Sequence, residues 1–290
     1  MTFLRQQRTI RRPVAVLGFG YYSGKDVRVE FRPAPAGAGI TFVREDIGFG
    51  ARIPARCENR YEVPRRTCLR VGSAQVEMVE HILAALAGLQ IDNCEIGVDQ
   101  AEMPGCDGSA MAFVAAVESV GASEQAAEVN RLEITEHLSI SSGDSYIEAF
   151  PATSDSYTLD YTVEYPNDPV IGYQVANLEV TPDLFRDEIA PCRTFVLQRE
   201  ADEMLRAGLG KRVRSHDLLI FDEKGPVNNR LRFENECARH KALDVIGDLA
   251  LTGCEIVGHI VAHRSGHRLN AAFAQELERR FAGVTLKASA

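Results

Sequence analysis

No stretch of the 290-residue chain is long and apolar enough to span a bilayer. The opening residues, Met1 to Arg8, lead into no apolar signal core with a cleavage site. No Cys-x-x-Cys pair occurs either. The seven cysteines (Cys57, Cys68, Cys94, Cys106, Cys192, Cys237 and Cys254) are odd in number and scattered, which argues against a disulfide framework and for small apolar thiols in a reduced, cytoplasmic protein. Positive charge is not in excess: a net charge of -9 argues against broad nucleic-acid binding and leaves room only for a local basic pocket. The glycines between Gly18 and Gly24 have no helix opening after them. They therefore fit a tight hairpin better than a dinucleotide-binding loop.

What is present is ordinary globular composition, 45% hydrophobic and 25% charged, with length enough for one large or two medium domains. Arg232 to Leu249 reads as a helix of good helix formers without proline, with Gly253 available to end it. Apolar residues cover much of its circumference, so it should be buried. Yet His240, Asp244 and Asp248 stand at i, i+4 and i+8 and share one face. Buried charge needs compensation, and imidazole nitrogen and carboxylate oxygen on successive turns can both reach one metal ion. A second apolar helix, Val79 to Gly88, carries Glu80-His81. His81, His240 and Asp244 would make the three-ligand set of a catalytic zinc, and Glu80 would be placed to take a proton from water.

Along the chain, strand patterns are predicted from Ile10 to Phe31 around the glycine turn, and at 40–43, 65–70 and 91–98. A loop ending in Asp107-Gly108-Ser109 precedes a helix over 110–120, with Asp107 or Ser109 as its cap. The small polar segment 121–128 reads as the boundary between an N-terminal domain, 1–125, and a C-terminal domain, 126–290. Further strands are predicted at 131–134, 146–150, 157–163, 218–221 and 254–261, with helices from Gln198 to Ala207 and at the C-terminus. Each half holds a metal-candidate helix, a glycine stop and a strand bearing Cys-Glu-Ile, at Cys94 and at Cys254. A duplicated α/β unit produces such an echo, with one site built between the halves. The locally mixed strands and helices point to an α+β fold.

Taken together these runs resemble the UDP-3-O-acyl-N-acetylglucosamine deacetylases, the zinc amidases of lipid A biosynthesis. The resemblance is carried in family order by Val79-Glu80-His81, Leu86-Ala87-Gly88-Leu89, Ile91-Asp92-Asn93, Asp107-Gly108-Ser109-Ala110, Arg193-Thr194-Phe195, Leu231-Arg232-Phe233-Glu234, Arg239-His240-Lys241, Leu243-Asp244, Ile246-Gly247-Asp248-Leu249 and Ser265-Gly266-His267 with Leu269-Asn270. It implies two similar α+β domains, each a small mixed sheet with helices. The helices lie between the two sheets and the active site at the domain interface. It further implies one Zn2+ per chain on His81, His240 and Asp244, with Glu80 as general base. Thr194 would support the oxyanion. His267 would act as acid or electrostatic partner, oriented by Asp248. Lys241, Arg264 and Phe195 would contact substrate. The expected partner is an acylated UDP-sugar, with no nucleic acid, and the expected state a cytoplasmic monomer.

Residue by residue, plainer readings stand beside these: His267 as a surface loop histidine, Thr194 as a strand threonine, Lys241 as a solvated helix lysine, Asp248 as a buried acceptor. His137, His216, His259 and His263 have no matching context and read as structural. The chain departs from the family pattern at Tyr21-Tyr22 in the hairpin, at Met78 before Val-Glu-His, and at Lys211 to Ser215. Large side chains in that last segment would narrow the acyl passage or bind a phosphate. The rival functions are a zinc amidase for another N-acylated sugar and a non-catalytic sugar-nucleotide binder.

Overall fold

A computed structural model describes residues 4–48 and 50–281. The first half runs β1 (Gln6–Ile10), β2 (Val14–Phe19), β3 (Asp26–Pro33), β4 (Ile40–Arg44), β5 (Ala51–Pro54), β6 (Arg60–Tyr61), β7 (Cys68–Val71), β8 (Ala74–Glu77), α1 (Glu80–Gly88), β9 (Cys94–Val98) and α2 (Met111–Val120). The second half runs β10 (Ala122–Glu128), β11 (Arg131–Glu133), β12 (Leu138–Ser142), β13 (Ser145–Phe150), β14 (Tyr157–Glu164), β15 (Tyr173–Glu179), α3 (Pro182–Leu184), β16 (Phe195–Leu197), α4 (Gln198–Arg206), β17 (Leu219–Asp222), β18 (Gly225–Pro226), α5 (Glu236–Leu249), β19 (Glu255–His263) and α6 (His267–Phe281).

The echo heard in the sequence is a structural repeat. One sheet has the order β2-β3-β9-β4-β5 and the other β12-β13-β19-β14-β15. In each, the strand bearing Cys-Glu-Ile, or directly following its cysteine, is central: β9 is antiparallel to β3 and parallel to β4, and β19 is antiparallel to β13 and parallel to β14. Each half also inserts a small three-stranded sheet before its central helix, β6-β7-β8 before α1 and β16-β17-β18 before α5. The helices form the layer between the large sheets. α2 packs on β2, α5 on β14 and β15, α6 on β12 and β13, and α1 on α2 and α5. Alternation drives this: Leu159, Tyr161 and Val163 of β14 are buried, while Thr158, Asp160 and Thr162 between them are not.

α1 and α5 cross in close contact at Gly247, where a Cβ would lie 2.1 Å from the Glu80 carbonyl oxygen. Only glycine allows that approach, and it brings the α1 N-terminus beside the His240–Asp248 face.

The segment 121–128, read as a domain boundary, contains strand β10, antiparallel to β1 with Ile10 opposite Ala122. Two expectations are corrected. The helix foreseen from Arg232 begins at Glu236, because the Glu236 carboxylate accepts from the Arg232 backbone N–H (2.6 Å) and the Arg193 guanidinium, which ties 232–235 into a turn. The strand foreseen at 65–70 begins only at Cys68 and turns back through Gly72 into β8 before α1. The glycine hairpin is found as expected, with Phe19 opposite Asp26. Its N–H groups at Tyr22 and Ser23 donate to the Glu102 carboxylate at 2.7 and 2.8 Å, so no phosphate is needed to satisfy them. All seven cysteines are free thiols.

Candidate metal centre

Glu80 and His81 open α1, separated by Val79 alone from Met78, whose φ of 59° is a left-handed conformation that costs a β-carbon residue about 1 kcal/mol or more. α5 contributes His240, Lys241, Asp244 and Asp248, all but Lys241 buried. His267 is the first residue of α6. The preceding turn is held by the Tyr161 hydroxyl, which donates to the Ser265 carbonyl. The side chain of His267 is only 10% exposed, so it is not a surface loop histidine.

His81, His240 and Asp244 offer ligand atoms that all lie within 4.8 Å of one another. Asp244 Oδ1 stands 3.5 Å from His240 Nε2 and 3.7 Å from His81 Nε2, too far for good hydrogen bonds and convergent on one point. His240 Nδ1–H donates to the Cys192 carbonyl at 3.1 Å, which leaves Nε2 as the lone-pair nitrogen facing that point. Burial, together with His81 and Lys241 nearby, outweighs the pull of Asp244 and holds the His240 imidazole neutral, its pKa pushed down to about 3. A neutral imidazole is the ligand form. Two nitrogens and one oxygen, buried and aimed together, fit a divalent ion of the zinc type.

The other oxygen of Asp244, Oδ2, accepts from Lys241 Nζ at 2.8 Å. Burial alone would raise the Asp244 carboxyl, but Lys241, His240 and His267 hold it well below the usual carboxylate range. Burial raises Glu80, and His267 and His81 only partly offset it. The opposite balance applies to His267. Burial would lower its pKa, yet Asp248, Asp244 and Glu80 raise it to about 9, so the ring is protonated at neutral pH. His267 Nδ1 donates to Asp248 Oδ2 at 2.9 Å, and Nε2 lies 3.9 Å from both Glu80 Oε1 and Asp244 Oδ2.

Glu80, His81, His240, Lys241, Asp244 and His267 line a cavity of about 950 Å³. Thr194, Phe195 and Arg264 line it too, whereas His137, His216, His259 and His263 do not. Phe195 sits edge-on to His240 with ring centroids 6.4 Å apart, under Lys241. Met204, Leu205, Leu209 and Ile140 give the cavity an apolar wall. Of the departures, Tyr22 lines the cavity with the Arg66 guanidinium stacked 4.0 Å from its ring. Arg212 turns away to Asp26 and stacks 4.3 Å over Phe19, clasping the hairpin, and Arg214 bonds its own segment's carbonyls.

Two residues at the site were not singled out for it from sequence. Thr67 donates its backbone N–H to Glu80 Oε2 at 3.0 Å and its hydroxyl to Asp248 Oδ1. Asn270 donates to Asp248 Oδ2 at 2.8 Å. Asn270 lay in a matching run, Leu269-Asn270, whereas nothing near Thr67 marked it.

A family model described as UDP-3-O-acyl N-acetylglycosamine deacetylase matches residues 7–279. A UDP-3-O-acyl-N-acetylglucosamine deacetylase from an Anaeromyxobacter species is 38% identical over 272 residues, covering 93% of this chain and 88% of the relative. Another, from Chlamydia caviae, is 37% identical over 274 residues, 94% and 97% of the two chains. A third, from Myxococcus xanthus, is 37% identical over 265 residues, 91% and 83%. With a match over nearly its whole length, the chain belongs to the UDP-3-O-acyl N-acetylglycosamine deacetylase family.

Proposed function

We propose that the chain hydrolyses the N-acetyl group of UDP-3-O-acyl-N-acetylglucosamine, giving UDP-3-O-acyl-glucosamine and acetate, a step of lipid A biosynthesis. The observation that carries the reading is the convergence of His81, His240 and Asp244 beside a buried carboxylate and a protonated imidazole in the lining of a large cavity. The reading includes one zinc ion per chain on those three residues. Zinc supplies Lewis acidity there, lowering the pKa of a neighbouring water and polarising the amide carbonyl.

The chain's own groups divide the remaining work. Glu80, with Oε1 on the His267 side and its pKa raised by burial, accepts a proton from the attacking water. The Thr194 hydroxyl donates to the amide oxygen as negative charge develops on it. His267 gives its Nε2 proton to the departing amine, and Asp248 keeps the ring oriented and charged. Lys241 holds Asp244 ionised, and Arg264 and Lys241 in the cavity lining suit the sugar and diphosphate. The apolar wall suits the 3-O-acyl chain. Among the described residues no helix is long and apolar enough to cross a membrane. We read the protein as a cytoplasmic monomer of two domains, 1–125 and 126–290. Acetate release from UDP-3-O-acyl-N-acetylglucosamine, measured on metal-stripped protein with and without added zinc and against a panel of other N-acylated sugars, tests the reading. Zinc-dependent release confined to the acylated UDP-sugar is expected, and no release from that sugar in the presence of zinc refutes it.

A further inference from the structure

Thr67 lies just before β7, 13 residues ahead of Glu80 and 181 ahead of Asp248. It is fully buried, as is Asp248. Its main chain and side chain act on two different groups. The backbone N–H occupies Glu80 Oε2, which leaves Oε1 as the oxygen facing His267 and the cavity. The hydroxyl occupies Asp248 Oδ1 and stands 3.3 Å from His267 Nδ1. Asp248 Oδ2 is then left to His267 and Asn270. A carboxylate pinned at both oxygens cannot rotate, so the imidazole it orients cannot either.

We propose that Thr67 is a positioning residue that sets Glu80 and His267 in one frame. The β6-β7-β8 insertion would then serve to deliver it: the Thr67 carbonyl accepts from Val79 N–H at 3.3 Å, fixing the insertion to the start of α1. Thr67 does not line the cavity, and its donors go to Glu80 and Asp248 rather than to a candidate metal ligand, so its effect falls on turnover rather than on metal or substrate binding.

The kinetic arm of the test rests on the deacetylase reading. Thr67→Ser keeps both donors and should hold kcat near wild type. Thr67→Val keeps shape and the backbone donor but loses the hydroxyl, and should lower kcat on the order of tenfold to a hundredfold with KM and zinc content unchanged. In an Asp248→Asn background the valine should cost less than about threefold more, because the hydroxyl acts through that carboxylate. Losses that multiply in the double variant, or a valine variant with wild-type kcat, overturn the proposal. Proton NMR of the His267 Nδ1–H in metal-free protein provides an arm without turnover. Exchange with solvent should be slow in wild type and Thr67→Ser and at least about tenfold faster in Thr67→Val. Unchanged exchange overturns the proposal even if no substrate is turned over. A wild type that releases no acetate refutes the deacetylase reading and leaves this arm standing. Should the valine variant not fold, Thr67→Ala enters the same comparisons.

Discussion

Gly247→Ala is the substitution that most sharply separates a site built by helix crossing from one built by side chains alone. The added Cβ would lie 2.1 Å from the Glu80 carbonyl oxygen and 2.8 Å from its carbonyl carbon. Both are backbone atoms in the first turn of α1, so no rotamer change relieves the clash. The helices must part by about 1 Å to restore ordinary contact, and α1 carries Glu80 and His81 with it. Overpacking of this kind costs about 1–3 kcal/mol, which for a chain of this size lowers Tm by about 2–10 °C. The functional loss should be larger. A shift of about 1 Å is several times the ~0.2 Å that metal–ligand bonds tolerate, and misplacement on this scale costs about 10²-fold in rate. Thermal unfolding, zinc content and kcat on one preparation test this. A variant with wild-type Tm, full zinc and wild-type kcat would refute the argument that the glycine contact sets the site.

Glu80→Gln should keep the fold and the metal while lowering turnover by about 10²–10⁴, and a zinc-loaded variant with near-normal activity removes Glu80 as the base. His267 must be protonated to act as acid, so kcat/KM should fall as pH rises through its pKa, raised to about 9. In Asp248→Asn the chief raising influence is gone, so that fall should move to lower pH; a fall at unchanged pH would assign it to another group. Arg212 turns out of the cavity to Asp26 and only Val213 of the pair lines it, so any early stop in the gain from longer acyl chains, about 0.8 kcal/mol per buried methylene, falls to Val213. Val213→Gly should extend that gain to longer chains, and an unchanged chain-length profile leaves this segment without a role in specificity.

Much of this was legible because it is local. The spacing of His240, Asp244 and Asp248 placed them on one face, and the alternation of Leu159, Tyr161 and Val163 placed them inside, as the structure has them. The repeated Cys-Glu-Ile marked the two central strands and so the duplicated sheets. What escaped is long-range. Alanine, serine and glutamate in 122–128 are poor strand formers, and only pairing with β1 makes them a strand. Tyr173 to Glu179 becomes a strand by adding to β14 at the sheet edge, without a strong alternation of its own. Glu236 begins α5 because Arg193, 43 residues earlier, fixes its carboxylate. Thr67 had no periodic neighbour to announce it, since its partners lie 13, 181 and 200 residues away.

The central claim is that residues from the two repeats hold a single ion. Zinc stoichiometry, measured by elemental analysis on wild type and on a folded His240→Ala/Asp244→Ala variant, tests it most directly. About one ion per chain is expected in the wild type, because a buried set of two imidazoles and a carboxylate is complete for one zinc with a position open. The double variant should hold almost none, and equal zinc in the two proteins would contradict the account.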